Sequence, residues 1–314
     1  MKILNFLNLV LLASVSLAYN CNNLASDLKK QGIKTDSMSC VMNSNNIAYL
    51  SLLDSKLTAI PKEIQKLTKL QNLSLDRNKI TTIPTWISKL TNLKELHVNV
   101  NKLTVLPKEV FSLKNIEYLV LDNNQIKTIP KEIGNIKKVK SIHLYKNQIT
   151  AIPAEIGSLT NLEYLWLDNN KLTTIPTNIG NLKNLGSFMV DNNQIKSVPT
   201  TIGNLKEVYQ LGLSNNNLKT LPKQIGSMTN LTILNLHRNK LTSLPKEIGN
   251  LTKLEKLTIY SNNLTSIPNE IKNLKNLKEL YIDESQKKLL PKGLGVIKGL
   301  TVYNCGKNAV NCKN

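Results

Sequence analysis

The chain has 314 residues and a formal net charge of +20, from 41 Lys and Arg against 21 Asp and Glu. Hydrophobic residues make up 41%, too much apolar surface for a disordered basic tail, and aromatics at 4% exclude an ordinary large core rich in Phe and Trp. Four Cys are too few for a disulfide-packed mini-protein, and three His leave little for a histidine metal site.

Residues 1–18 read as a signal peptide. Met1 and Lys2 form a short positive start, residues 3–17 are strongly apolar, and Ser16-Leu17-Ala18 puts small residues where a signal peptidase cuts, so cleavage after Ala18 is expected. The apolar run is shorter than the ~20 residues of a span. No second apolar span or hydrophobic tail follows, so the expectation is a secreted, extracellular chain with no membrane span. Residues 19–46, with Cys21 and Cys40, precede the first regular segment and read as an N-terminal cap.

From residue 47 the chain repeats. All eleven prolines fall on one lattice with a 23-residue step: Pro61, Pro84, Pro107, Pro130, Pro153, Pro176, Pro199, Pro222, Pro245, Pro268 and Pro291. Six residues ahead runs a second lattice, from Asn78, Asn101 and Asn124 to Asn262, with Ser55 and Ser285 in that slot at the two ends. One unit reads Leu162-Glu163-Tyr164-Leu165-Trp166-Leu167-Asp168-Asn169-Asn170-Lys171-Leu172, then Thr173-Thr174-Ile175-Pro176. Eleven such units cover 47–299, and 300–314 hold a partial twelfth and a C-terminal cap.

The pattern L-x-x-L-x-L-x-x-N-x-L resembles the leucine-rich repeat family, in its 23-residue form with I-P-x-x-I-G-x-L on the back. The units are similar to those of Ras-scaffold, plant Ras-group-related and disease-resistance repeat domains. The expected fold is therefore α/β: a curved solenoid with a parallel sheet on the concave face and short helical or 3₁₀ turns on the convex face.

Each recurring residue type within the unit has a physical reason. The x-Leu-x stretch alternates with period 2 and reads as a short strand with Leu inward. The Asn amide can both donate to and accept from backbone groups of adjacent turns. The Pro, whose missing N–H is harmless there, is expected at the first helical position. Gly134, Gly157, Gly180, Gly203, Gly226 and Gly249 are expected where the backbone bends. No unit buries its apolar face alone, so the ends need caps. Four Cys allow three connectivities. Eleven strands at the usual spacing separate the two Cys pairs by roughly 50 Å, far beyond disulfide reach. That leaves Cys21–Cys40 and Cys305–Cys312.

The outward strand positions form three columns on the concave face. They are a small share of each unit, yet they hold seven of the fourteen aromatics and all three His. Such enrichment on a solvent face points to binding. The densest patch spans the third to seventh units: Glu95, His97, Tyr118, Asp122, His143, Tyr145, Tyr164, Trp166, Asp168, Met189 and Asp191. Trp166 stands out as a large ring facing water with no core role. A shared metal between His97 and His143 is disfavoured, because two strands put them about 9.6 Å apart. His97 with Asp122, or His143 with Asp168, could pair across strands, but no motif places a nucleophile, and no cofactor or metal motif appears. The chain reads as a non-enzyme without cofactor.

Lysines collect elsewhere. Lys62, Lys108, Lys131, Lys223, Lys246 and Lys292 follow the lattice Pro; Lys114, Lys137, Lys183, Lys206, Lys275 and Lys298 end the turns. Two functional classes result: a secreted recognition or adhesion module binding a protein on the concave face, or a binder of polyanions or cell-surface glycans through the convex lysines. The repeat resemblance adds a third, a signalling scaffold. Nucleic acid is not expected, because the basic face lacks interleaved aromatics. Thr pairs such as Thr81-Thr82 could suggest ice binding, but Lys127, Lys196 and Lys219 interrupt the array. Sequons for N-glycosylation occur at Asn72, Asn230, Asn250 and Asn263.

Overall fold

The computed structural model describes residues 19–305. The signal peptide expected over 1–18 and the C-terminal Cys312 lie outside these residues. The described chain forms one 13-stranded sheet whose strand order is the chain order. An N-terminal helix, α1 (Cys21–Lys30), leads into β1 (Met38–Asn43), which pairs antiparallel with β2 (Asn46–Leu52). Parallel strands follow, one per repeat: β3 (Asn72–Ser74), β4 (Glu95–His97), β5 (Tyr118–Val120), β6 (Ser141–His143), β7 (Tyr164–Trp166) and β8 (Ser187–Met189). They continue through β9 (Gln210–Gly212), β10 (Ile233–Asn235), β11 (Lys256–Thr258) and β12 (Glu279–Ile282) to β13 (Thr301–Asn304).

From β2 to β12, each chain segment between strands returns through a five-residue 3₁₀ turn, such as Ala154–Ser158 after Pro153. In β3–β12 the inward strand residue (Leu, or Ile142 and Phe188), the flanking Leu, Ile or Val and the turn Ile or Val110 all point into a single continuous core: Leu165, Leu167 and Ile156 are fully buried. α1 seals one end with Leu24 and Leu28, and the Cys21–Cys40 bridge ties the helix to β1. Cys305, at the other end, is buried and disulfide-bonded.

The Asn lattice does what an amide can. Asn124 Nδ2 donates to the carbonyls of Val98 (2.8 Å), Leu121 (3.0 Å) and Asp122 (3.2 Å), while its Oδ1 accepts from Leu103 N (3.0 Å). One buried side chain thus satisfies backbone groups of two successive repeats, which would otherwise go unpaired.

Three expectations are corrected. The lattice Pro is not the first helical residue but the one before it: Pro153 is extended (φ −67°, ψ 150°), and its carbonyl accepts from Ile156 N. The turn glycines do sit in the 3₁₀ turns, but not to supply an unusual backbone angle, for none has positive φ. They are points of close approach: a Cβ on Gly157 would lie 2.5 Å from the carbonyl oxygen of Asn178 in the next repeat. The left-handed position is instead the residue just before the lattice Asn, as in Arg77, Val100, Asn123 and Lys146. Finally, Ser285 does not fill the last Asn slot. Gln286 does so from one residue later, its Nε2 donating to Ile259 O (3.3 Å).

Candidate binding face

Parallel in-register pairing sets the geometry of the outward side chains. Glu95, Tyr118, Ser141, Tyr164 and Ser187 align in one row across β4–β8, and His97, Val120, His143, Trp166 and Met189 in the next. Asp122, Tyr145, Asp168 and Asp191 form a third row just past the strand ends. The structure therefore brings all eleven sequence-derived candidates to one face.

At strand spacing, rings in the same row of adjacent strands lie flat against each other. His143 stacks on Trp166 with centroids 4.0 Å apart and planes 11° from parallel, and Tyr164 meets Trp166 edge-on at 6.4 Å. Trp166 is therefore not a solitary ring in water. It is half-buried, and its Nε1 donates to Ser187 Oγ (3.2 Å). Tyr118 is the most open ring of the patch, 38% exposed.

The supposed cross-strand His–Asp pairs are different in fact. His97 Nε2 lies 3.5 Å from Glu95 of its own strand. His143 Nε2 is hydrogen-bonded with Ser141 Oγ (2.8 Å), and its Nδ1 lies 3.9 Å from Asp122, not Asp168. Burial, helped by His97, drives His143 down to about 4, so it is neutral at pH 7.

The aspartates belong partly to the scaffold. Asp122 Oδ1 accepts from Tyr145 N (2.7 Å), Asp168 Oδ1 from Asp191 N (2.8 Å), and Asp191 Oδ1 from Ser214 N (2.5 Å). Each carboxylate thus spends one oxygen on the next repeat's backbone. Burial raises all three: Asp122 to about 6, with the charges of Asp168 and Asp76 adding to it, and Asp191 to about 7, with Asp168 beside it.

Sequence reasoning missed two features of this face. A second aromatic group lies toward the C-terminal end: His237 stacks on Tyr260 (4.6 Å) and Tyr281 on Tyr303 (4.4 Å), with Lys256 4.7 Å from the Tyr281 ring. The same rows that produced the first patch hold Tyr281 and Tyr260, so the signal was present. Tyr209, 40% exposed, lies at the entry of β9, outside the three rows. With Tyr164 it borders a depression of about 400 Å³.

The lysines divide into two sets. Those following Pro are exposed, whereas several turn-ending ones cap carbonyls: Lys137 Nζ reaches Ser158 O (3.1 Å) and Lys206 Nζ reaches Ser227 O (2.7 Å). Of the sequons, Asn250 and Asn263 are exposed, while the Asn230 amide nitrogen donates to Lys206 O (2.9 Å). Asn72 is half-buried on β3. Among the described residues no cluster of three His, Cys, Asp or Glu could hold a metal, and no helix is long and apolar enough to cross a membrane.

A model for a leucine-rich repeat region matches residues 20–119, 107–189, 154–238 and 222–309. The chain belongs to the leucine-rich repeat family. A plant peptide hormone receptor, RGFR1 in complex with RGF2, is similar at 32% identity and a TM-score of 0.67. The match covers 79% of this chain and 42% of the receptor, so the chain spans about two fifths of that receptor's length. A TDR receptor matches at 24% identity and a TM-score of 0.73, over 91% of this chain and 50% of its own. A plant ice-binding protein matches at 25% identity and a TM-score of 0.61, over 74% and 78%. No curated protein is significantly similar in sequence.

Proposed function

We propose that this leucine-rich repeat chain is a secreted, non-enzymatic recognition module that binds a protein ligand on its concave face, centred on Tyr118, Tyr145, Tyr164 and Trp166. One observation carries the reading. Four amphipathic rings project from adjacent in-register repeats on the side of the sheet that does not carry the core. Rings of this kind add contact area at low entropic cost. The similarity to a receptor solved with its partner supports the same use of the scaffold. Secretion is supported by the Cys21–Cys40 bridge together with the apolar leader, and the bridge weighs against a cytosolic scaffold. The Thr rows are interrupted by Lys127, Lys196 and Lys219, so the ice-binding relative does not redirect the reading.

The test is calorimetric titration with a partner recovered by capture on the mature chain. Trp166→Ala is expected to weaken binding by at least about 2 kcal/mol. Stability should fall by only about 1 kcal/mol, through loss of the His143 stack and the Ser187 hydrogen bond. Replacing Lys131 and Lys246 with Ala should leave affinity nearly unchanged. If the lysine changes abolish binding, affinity falls steeply with salt and Trp166→Ala does nothing, the ligand is a polyanion held on the convex side.

A further inference from the structure

We infer that the groove along the C-terminal ends of β2–β6 is a pocket for an arginine or lysine side chain presented by the ligand. This rests on the concave-face reading and names the chemistry of what docks there. The groove has a volume of about 480 Å³; Leu53, Val100 and Tyr145 supply its apolar lining, Asp76, Asn99 and Asp122 most of its polar lining, and Arg77 and Asn123 complete it.

The apolar lining is out of place in an unoccupied surface. Leu53 is 38% exposed and Val100 47%. Val100 occupies the left-handed position that other repeats give to Asp54, Arg77, Asn123, Lys146 and Asn169, and it is the single apolar residue among the described members of that column. Two aliphatic side chains two repeats apart thus face solvent in a groove that also holds two carboxylates.

The acidic lining is built to receive a cation. Asp76 Oδ1 accepts from Asn99 N (2.7 Å) and Asp122 Oδ1 from Tyr145 N (2.7 Å), so both carboxylates are held by the scaffold rather than free to rotate away. Asp76 Oδ2 accepts from Ser74 Oγ (3.3 Å), and Asp122 Oδ2 lies 3.9 Å from His143 Nδ1. Between the two acids lies neutral Asn99, whose Oδ1 is committed to Asp122 N (3.0 Å). A cation above Asn99 would sit roughly one strand spacing, about 4.8 Å, from each acid. Among the described residues no Lys or Arg nitrogen comes within 4.0 Å of either carboxylate, although the chain has 41 of these residues and Arg77 borders the groove.

Those features select the ligand class. A carboxylate or phosphate would face two acids. A neutral apolar group would desolvate them further without compensation. An alkyl stem ending in a guanidinium or ammonium satisfies both the apolar and the acidic lining, with the stem on Leu53 and Val100 and the charge over Asn99.

The experiment uses the mature chain, uniformly ¹⁵N-labelled, titrated with n-butylguanidinium, and with n-pentanol and pentanoate as stem-matched controls. The cation is expected to shift the amides of Val100, Asn123 and Tyr145 and to saturate, with both controls at least about tenfold weaker. Asp122→Asn keeps an Oδ1 acceptor for Tyr145 N, as Asn99 does for Asp122 N, so it should fold. It should cost the cation about tenfold in affinity, and a thermal melt checks the fold. Equal binding of pentanol, an unaffected Asp122→Asn, or shifts centred on Asp168 and Asp191 overturn the pocket. A captured partner weakened by Trp166→Ala but not by Asp122→Asn also overturns it while leaving the concave-face reading intact. A pocket that binds the cation as expected, with a partner indifferent to Trp166→Ala, upholds the pocket and sinks the aromatic centre.

Discussion

Single residues carry strain and buried charge that the repeat tolerates but does not need. Val100 holds φ 52°, where a β-branched side chain clashes with its own backbone. Its counterparts Asn123, Asn169, Asn192 and Asn215 hold the same conformation with a residue suited to it. Val100→Asn is therefore expected to raise stability by about 1 kcal/mol, read as an increased urea midpoint at unchanged slope. Asn123→Val should lower it by a similar amount. A midpoint that does not respond to either change would show that the column bears no strain.

Buried carboxylates act on the same scale through pH. Asp191 titrates near 7 in the folded chain, well above an exposed Asp, because burial and Asp168 disfavour its charge. The folded state therefore takes up this proton first, and the group's destabilising effect at neutral pH is relieved as pH falls from about 7 toward 4. His143 and His237, each lowered to about 4 by burial, work in the opposite sense. The unfolded chain protonates first at those two, so the stability they supply above about 6.5 is lost on acidification toward 4. The opposed contributions make the wild-type profile shallow. Asp191→Asn removes one raised carboxyl and keeps an acceptor for Ser214 N. It should be more stable than wild type at pH 7.5, by roughly 1–2 kcal/mol, and should lose stability more steeply between pH 6.5 and 4.5. Denaturant melts at three pH values measure both, and parallel profiles would refute the account.

At the level of the element, what could be read from the chain was what recurs. A 23-residue lattice of Pro, Asn and Leu specifies strand, turn and core together, because each type meets one backbone demand per turn. Position within the demand was less legible. Pro and Gly each have two roles, and sequence does not say whether a glycine serves an unusual φ or a near neighbour. In this chain the neighbour decides: Gly157 meets the backbone of Asn178, whereas nothing lies within 4 Å of a Cβ on Gly295. Gly157→Ala should accordingly cost about 1–3 kcal/mol by overpacking, and Gly295→Ala should stay within about 0.5 kcal/mol of wild type. Equal effects in equilibrium unfolding would restore the bend as the explanation. The binding face was legible as a set of columns, since period 2 puts those residues outward. Its internal partnerships were not. That Asp122 and Asp168 hold backbone N–H groups, or that Trp166 is stacked, depends on ring and carboxylate orientations that no spacing encodes.

For the molecule as a whole, stability follows the stacking of like units. Each repeat touches its two neighbours, the Asn side chains stitch one turn to the next, and only the end units lack a partner. α1 supplies that partner at the N-terminal end by covering the first repeat with Leu24 and Leu28, and Cys21–Cys40 fixes the helix to β1. In a one-dimensional stack the loss of this bridge must act from its own end. Replacing Cys21 and Cys40 with Ser is expected to remove about 2–5 kcal/mol. Amide exchange should accelerate first in α1, β1 and β2 and then in β3, while β8–β11 keep wild-type protection. The polarity of that gradient is the diagnostic. Exchange that rises uniformly along the chain would mean the repeats unfold as one block and the cap is only one contact among many. A gradient starting at β13 would place the weak end opposite the bridge that was removed, and would contradict the sealing role of α1.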